Sequence, residues 1–108
     1  MAVDAATGSL LDLIADDWGH QMQRQEIERV IYAVAAEYDG HIDPNVVRMR
    51  LPAFVQPQLV GPTYRRLCMA REIEPSGWTT SDDTRGRNSG KPARTYRLVP
   101  DIDKEVPF

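Results

Sequence analysis

The 108-residue sequence predicts an α+β domain, mainly α. Three core helices lead into an antiparallel hairpin of two or three strands, and an additional helix precedes them. Three observations predict this. Residues 22–38 place Ile27, Val30, Ile31, Val34 and Tyr38 at i, i+3, i+4, i+7 and i+11, one apolar stripe of a helix. Two shorter segments, 44–51 and 58–71, follow with their own helix starts. Two extended stretches, 78–80 and 94–99, then flank a turn-rich basic segment, 82–92.

The bulk numbers agree with one domain, residues 22–99, carrying a leader with an accessory helix at 1–21 and an acidic tail at 100–108. A chain of this length buries roughly 65 % of its unfolded surface, enough for a core without staples. With 42 % hydrophobic and 27 % charged residues the composition is that of an ordinary globular protein. A single cysteine, Cys68, excludes an internal disulfide and fits a reducing compartment. No apolar run reaches the roughly 20 residues of a membrane span, and no signal peptide opens the chain. The expected location is the cytoplasm.

Taken in order, Ser9 can cap a short helix with Asp12 as its partner. Leu10, Leu11, Leu13, Ile14 and Trp18 make that segment apolar, and Gly19 is expected to end it. Such a helix must dock to persist. Its own domain is one partner; a second copy, giving a homodimer through residues 9–18, is the alternative. Helix 22–38 should stop at Asp39-Gly40, where glycine supplies a left-handed residue. His41-Ile42 can pair with the hairpin. Asp43-Pro44 restarts a helix, Asp43 as cap and Pro44 at a position with no N–H to lose. Val46, Val47 and Leu51 face inward, Asn45, Arg48 and Arg50 outward, and Pro52 ends the run. Phe54 or Val55 should plug the angle before the next helix. Pro57 suits a helix start, yet Gly61-Pro62 then falls inside; a turn at 57–60 ahead of the helix accommodates both. Val60, Tyr64, Leu67 and Cys68 share its apolar stripe, and glycine would suit position 72 better than Glu72. In the hairpin Trp78 and Tyr96 are expected cross-strand partners. This order is that of a winged helix-turn-helix.

Catalysis has little in its favour. His20 and His41 stand 21 positions apart and form no metal-ligand spacing with Cys68. Asp16-Asp17 and Asp82-Asp83 have no evident pocket. Gly90-Lys91 is followed by proline rather than by the Ser or Thr and helix of a phosphate loop. Neither an enzyme nor a cofactor is expected.

Charge is separated along the chain. Residues 1–43 balance at −7, residues 44–98 at +6 and residues 99–108 at −2, within a net charge of −3. The basic middle suggests a polyanion-facing surface. Arg65 and Arg66, with Gln58 and Thr63, should project from helix 58–71 toward a major groove, where arginine grips guanine and glutamine grips adenine. Arg48, like Arg50, suits phosphates. Arg85, Arg87, Asn88, Lys91 and Arg94 lie on a glycine-containing strip able to follow the backbone or enter a minor groove. Double-stranded DNA is the expected partner. A protein-interaction module acting through the acidic surfaces, for instance as a replication- or recombination-associated adaptor, is the alternative.

The set Asp43…Val47-Arg48…Leu51-Pro52…Pro57…Val60-Gly61…Tyr64-Arg65…Leu67…Gly77-Trp78…Arg94…Tyr96-Arg97-Leu98 resembles the winged helix-turn-helix domains of small bacterial and bacteriophage proteins. It covers about residues 22–99. Arginine outnumbers lysine eleven to two, the usage of high-GC genomes such as those of actinobacteria and their phages. The resemblance implies DNA binding through 58–71 and the wing, in a transcriptional or phage regulator, a replication-associated protein or a recombination factor.

Overall fold

The structure is a computed structural model that describes the backbone of residues 5–83 and 89–100, with side chains from 18 onward within those ranges. Among these residues the order is α1 (Ala5–Glu37), β1 (His41–Ile42), α2 (Pro44–Arg50), a 3-10 turn (Pro57–Leu59), α3 (Val60–Met69), β2 (Ile73–Thr80) and β3 (Pro92–Leu98). The strands form one antiparallel sheet in the order β1-β3-β2. The chain is therefore a small α+β domain with its helices first and its hairpin last.

The stripe on α1 supplies the largest part of the core. Ile27, Val30, Ile31, Val34 and Ala35 are fully buried against Ile42, Val47, Val55, Tyr64, Leu67 and Ile73. Tyr38, expected on that stripe, is 46 % exposed because the helix stops at Glu37. Asp39 and Gly40 both turn left-handed, φ 54° and 87°. The Gly40 carbonyl then accepts the Leu98 N–H at 2.8 Å, fastening the end of α1 to β3.

The break expected at Gly19 does not occur: one helix of 33 residues runs through it. An interior glycine costs only about 1 kcal/mol relative to alanine. His20-Gln21-Met22-Gln23-Arg24 offers no proline or β-branched residue to halt propagation. A Cβ placed on Gly19 meets nothing within 4 Å. Gly19→Ala should therefore stabilise the protein by about 0.5–1 kcal/mol, seen as a higher thermal midpoint. A lower midpoint would mean that the glycine is required for its backbone.

In α2 the Asp43 side chain accepts the Asn45 N–H at 2.9 Å and Pro44 occupies the first turn. Leu51 leaves helical angles (φ −73°, ψ 135°) ahead of Pro52. Of the two candidate plugs Val55 is the one used, 2 % exposed, while Phe54 is 62 % exposed. The Gln56 N–H donates to Gln23 Oε1 at 2.8 Å, which ties the α2–α3 connection to α1.

The proline problem in α3 resolves by placement. A 3-10 turn at Pro57–Leu59 comes first, and Pro62 is then the third residue of α3. First-turn N–H groups have no partner within their own helix, so its missing donor costs little. At the other end Arg71 donates its N–H to the Cys68 carbonyl and Glu72 to that of Leu67, each at 3.0 Å. That is the Schellman pattern. Its left-handed residue is Arg71 (φ 61°), not Glu72 as the sequence had suggested. Arg71→Gly should relieve about 0.5–1 kcal/mol of backbone strain, net of glycine's larger entropy loss. Equilibrium urea unfolding checks this, and a lower midpoint would assign the arginine side chain a stabilising contact.

Hairpin register differs from expectation. A bulge between Pro75 and Gly77 sets Pro75 opposite Tyr96 and Trp78 opposite Arg94. The long loop, 81–91, cannot dictate register; packing at the far end does. There Ile42 pairs with Tyr96, and the Tyr96 ring stacks on Tyr64 of α3 at 4.6 Å and 9°.

Candidate nucleic-acid interface

Eight of the residues expected to face a polyanion fall into three groups. Arg48 and Arg66 are neutralised by acids. Arg65, Lys91 and Arg94 are cations with no acidic partner among the described residues. Arg85, Arg87 and Asn88 lie outside the described residues.

Arg48 belongs to the domain's interior wiring rather than to an open phosphate-facing surface. Its guanidinium sits 3.3 Å from Asp83 and 3.7 Å from Asp82, and it donates to Asn45 Oδ1 at 3.3 Å. Asn45 in turn donates to the Thr80 carbonyl at 2.9 Å and accepts the Asp82 N–H at 3.1 Å. Together they clamp α2 to the start of the hairpin loop. Ser81 closes the same loop, donating its N–H to Lys91 O at 2.8 Å and accepting the Gly90 N–H at 2.7 Å. Arg50 is likewise engaged, 2.5 Å from Glu37, whose carboxyl this hydrogen bond holds below the usual carboxylate range.

On α3 the expectation for Thr63 fails. It is 0 % exposed and donates its hydroxyl to the Leu59 carbonyl at 2.7 Å. With Tyr64 and Leu67 it occupies the inward side, so it cannot read a groove. Arg65 is exposed on the outer side. Arg66 is exposed too, but pairs with Glu28 of α1. Gln58 lies in the 3-10 turn, exposed, donating to Gln56 Oε1 at 2.7 Å.

On β3 the Arg94 guanidinium lies over the Trp78 ring, 4.6 Å from its centroid. A stack of this kind aims a cation without neutralising it. Burial pushes the Tyr96 phenol above the ordinary tyrosine value, while Arg94 and Arg65 both pull it down. Burial also raises the Cys68 thiol, and Arg94 again opposes the shift. Cys68 is only half-buried, less enclosed than its stripe position suggested.

Beside this edge lies a hollow of about 260 Å³ between α2, the start of α3 and β3, bordered by Arg48, Asp83, Arg94 and the two stacked tyrosines. Neither the Tyr64–Tyr96 stack nor the Trp78–Arg94 pair was anticipated. The register sets Trp78 opposite Arg94, two positions from the Tyr96 expected as its partner, and no local signal marks the bulge beyond Pro75 and Gly77 themselves. Among the described residues no group of three His, Cys, Asp or Glu side chains could hold a metal ion, and no helix is long and apolar enough to cross a membrane. No protein-family model, curated protein or solved structure matches the chain.

Proposed function

We propose that the chain is a winged helix-turn-helix protein that binds double-stranded DNA without enzymatic activity and serves a regulatory role in transcription or in a phage or prophage programme. α2 and α3 form the helix-turn-helix, α3 is offered to the major groove, and the β2–β3 hairpin is the wing, set on the backbone or the minor groove. One observation carries the reading. Arg65 of α3 and Arg94 of β3 are exposed cations, neither with an acidic partner among the described residues, on two elements that the Tyr64–Tyr96 stack holds together. Lys91, exposed and also without an acidic partner among the described residues, stands immediately before β3.

Positive charge held together on a helix and an adjoining hairpin suits a phosphate backbone, and a free arginine on the outer side of α3 can reach guanine O6 and N7. Arg66 is available at small cost, because an exposed ion pair such as that with Glu28 is worth at most about 1 kcal/mol. Pro62 in the first turn leaves α3 intact. Arg48 and Thr63 take no part.

The test is duplex binding by fluorescence anisotropy across a salt series, using a random-sequence pool followed by selection of the retained duplexes. Log K should fall linearly with log salt, with a slope of about −0.9 for each phosphate neutralised. Arg65→Ala, Lys91→Ala and Arg94→Ala should each flatten that slope by about one unit. Affinity that ignores both salt and these substitutions would end the DNA reading. Exposed Met49 (76 %) of α2 and Phe54 (62 %) of the α2–α3 connection favour the second reading, a protein-interaction module. Capture of a stable protein partner, with no duplex retained at low salt, would move the assignment there.

A further inference from the structure

We propose that Trp78 is a stacking platform for an unpaired base, so that the nucleic acid this edge prefers is a duplex carrying a single-stranded tail. That preference deepens the DNA reading and rests on it. Trp78 stands directly opposite Arg94, so the two side chains leave the same face of the hairpin. Tyr96, two residues beyond Arg94, shares that face and stacks on Tyr64 of α3. The face turned toward α3 therefore runs out from beneath the helix at Arg94 and Trp78, both of them exposed.

Trp78 is 64 % exposed although the Arg94 guanidinium covers its ring at 4.6 Å. A ring covered on both faces could not keep so much surface, so the second face is open. Sheet order accounts for the opening. Among the described residues β2 is flanked only by β3, and Arg94 of β3 occupies that side of the indole. The free face is a large, rigid contact area for a flat apolar partner.

Charge selects that partner. Arg94 and Lys91 have no acidic partner among the described residues. The hairpin's described acids are engaged elsewhere. Glu74 pairs with Arg97, which alternates with Arg94 and Tyr96 onto the other face, and Asp82 and Asp83 hold Arg48. The platform thus suits a flat ring joined to an anion, the two parts of a nucleotide. Arg94 serves both, because a guanidinium stacked by its face can still grip a phosphate through its N–H edge. Base pairing decides which nucleotide. Inside a duplex both faces of a base are covered by its neighbours. Pulling one out costs about as much as one aromatic stack returns, so Trp78 gains nothing by opening paired DNA but keeps the full stack on a base already unpaired. Every base has a flat face, so this contact adds affinity without reading sequence.

The chain has two tryptophans, and Trp18→Phe leaves Trp78 as the only one. In that background a blunt duplex, and the same duplex with a tail of about ten thymines, are titrated at about 0.1 M salt. The tailed duplex should bind about 10-fold more tightly and quench Trp78 emission, while the blunt duplex leaves that emission nearly unchanged. Trp78→Ala, followed by anisotropy of labelled duplexes, should erase the difference between the two, and Trp78→Phe should restore most of it. Thermal unfolding should show both variants folded, since Trp78 is exposed. Equal affinity for the two duplexes, a tail preference that survives Trp78→Ala, or equal quenching by the blunt duplex would each overturn the stacking while leaving duplex binding standing. If neither duplex binds, the DNA reading falls and the stacking with it.

Discussion

An Arg65→Glu/Arg94→Glu double variant should lose duplex affinity by roughly 100-fold or more at about 0.1 M salt. Each reversal removes a cation from the edge and adds a charge that repels phosphate, so the two effects compound. Protomer stability should fall by less than about 1 kcal/mol, the worth of the exposed stack of Arg94 on Trp78. Arg50→Glu is the control. It makes the same change in net charge per site but acts on a residue engaged by Glu37. A loss in the control about half that of the double variant, on a logarithmic scale, would show that affinity follows overall charge and not this edge. Unchanged affinity in the double variant would remove Arg65 and Arg94 from the interface.

Arg48→Ala should have the opposite profile, costing about 2 kcal/mol of stability with no change in the salt dependence of duplex binding. Asp83 is 5 % exposed as a side chain and Arg48 26 %. Removing one partner of a fully buried pair costs about 3–5 kcal/mol, and a quarter-exposed guanidinium warrants a smaller figure. The thermal midpoint should fall by roughly 10 °C. Asn45 still holds the loop through Thr80 and Asp82, so the domain remains folded. A flattened salt slope with an unchanged midpoint would return Arg48 to the DNA-facing surface and remove it from the clamp.

The contrast between these two variants marks where sequence reading reaches its limit. Arg48 and Arg65 look alike in the chain: each follows an apolar residue on a short helix and projects from it at polar spacing. Whether such a guanidinium is free depends on which carboxylate folding brings beside it. Asp83 lies 35 positions from Arg48 and Glu28 lies 38 from Arg66, so no local pattern could have paired them. Thr63 shows the same limit on the apolar side. A threonine one position before Tyr64 reads as surface, yet α3 rotates far enough inward to bury it and let it return its hydroxyl to Leu59.

Local chemistry by itself determined the element order, the cap at Asp43-Pro44, the stop at Asp39-Gly40 and the core stripe of α1. Each follows from steric and hydrogen-bonding preferences acting within one or two turns of chain. Tertiary structure decided what those preferences leave nearly balanced. Helix propagation through Gly19 needs no such contact, because one glycine costs little beside the 33-residue helix that contains it. The register that carries the bulge at Pro75 and Gly77 goes with Tyr96 seated against Tyr64, residues 32 positions apart. The division of arginines into paired and free ones arises in the same way, since ion pairs across the fold depend on distances that exist only after the helices have packed.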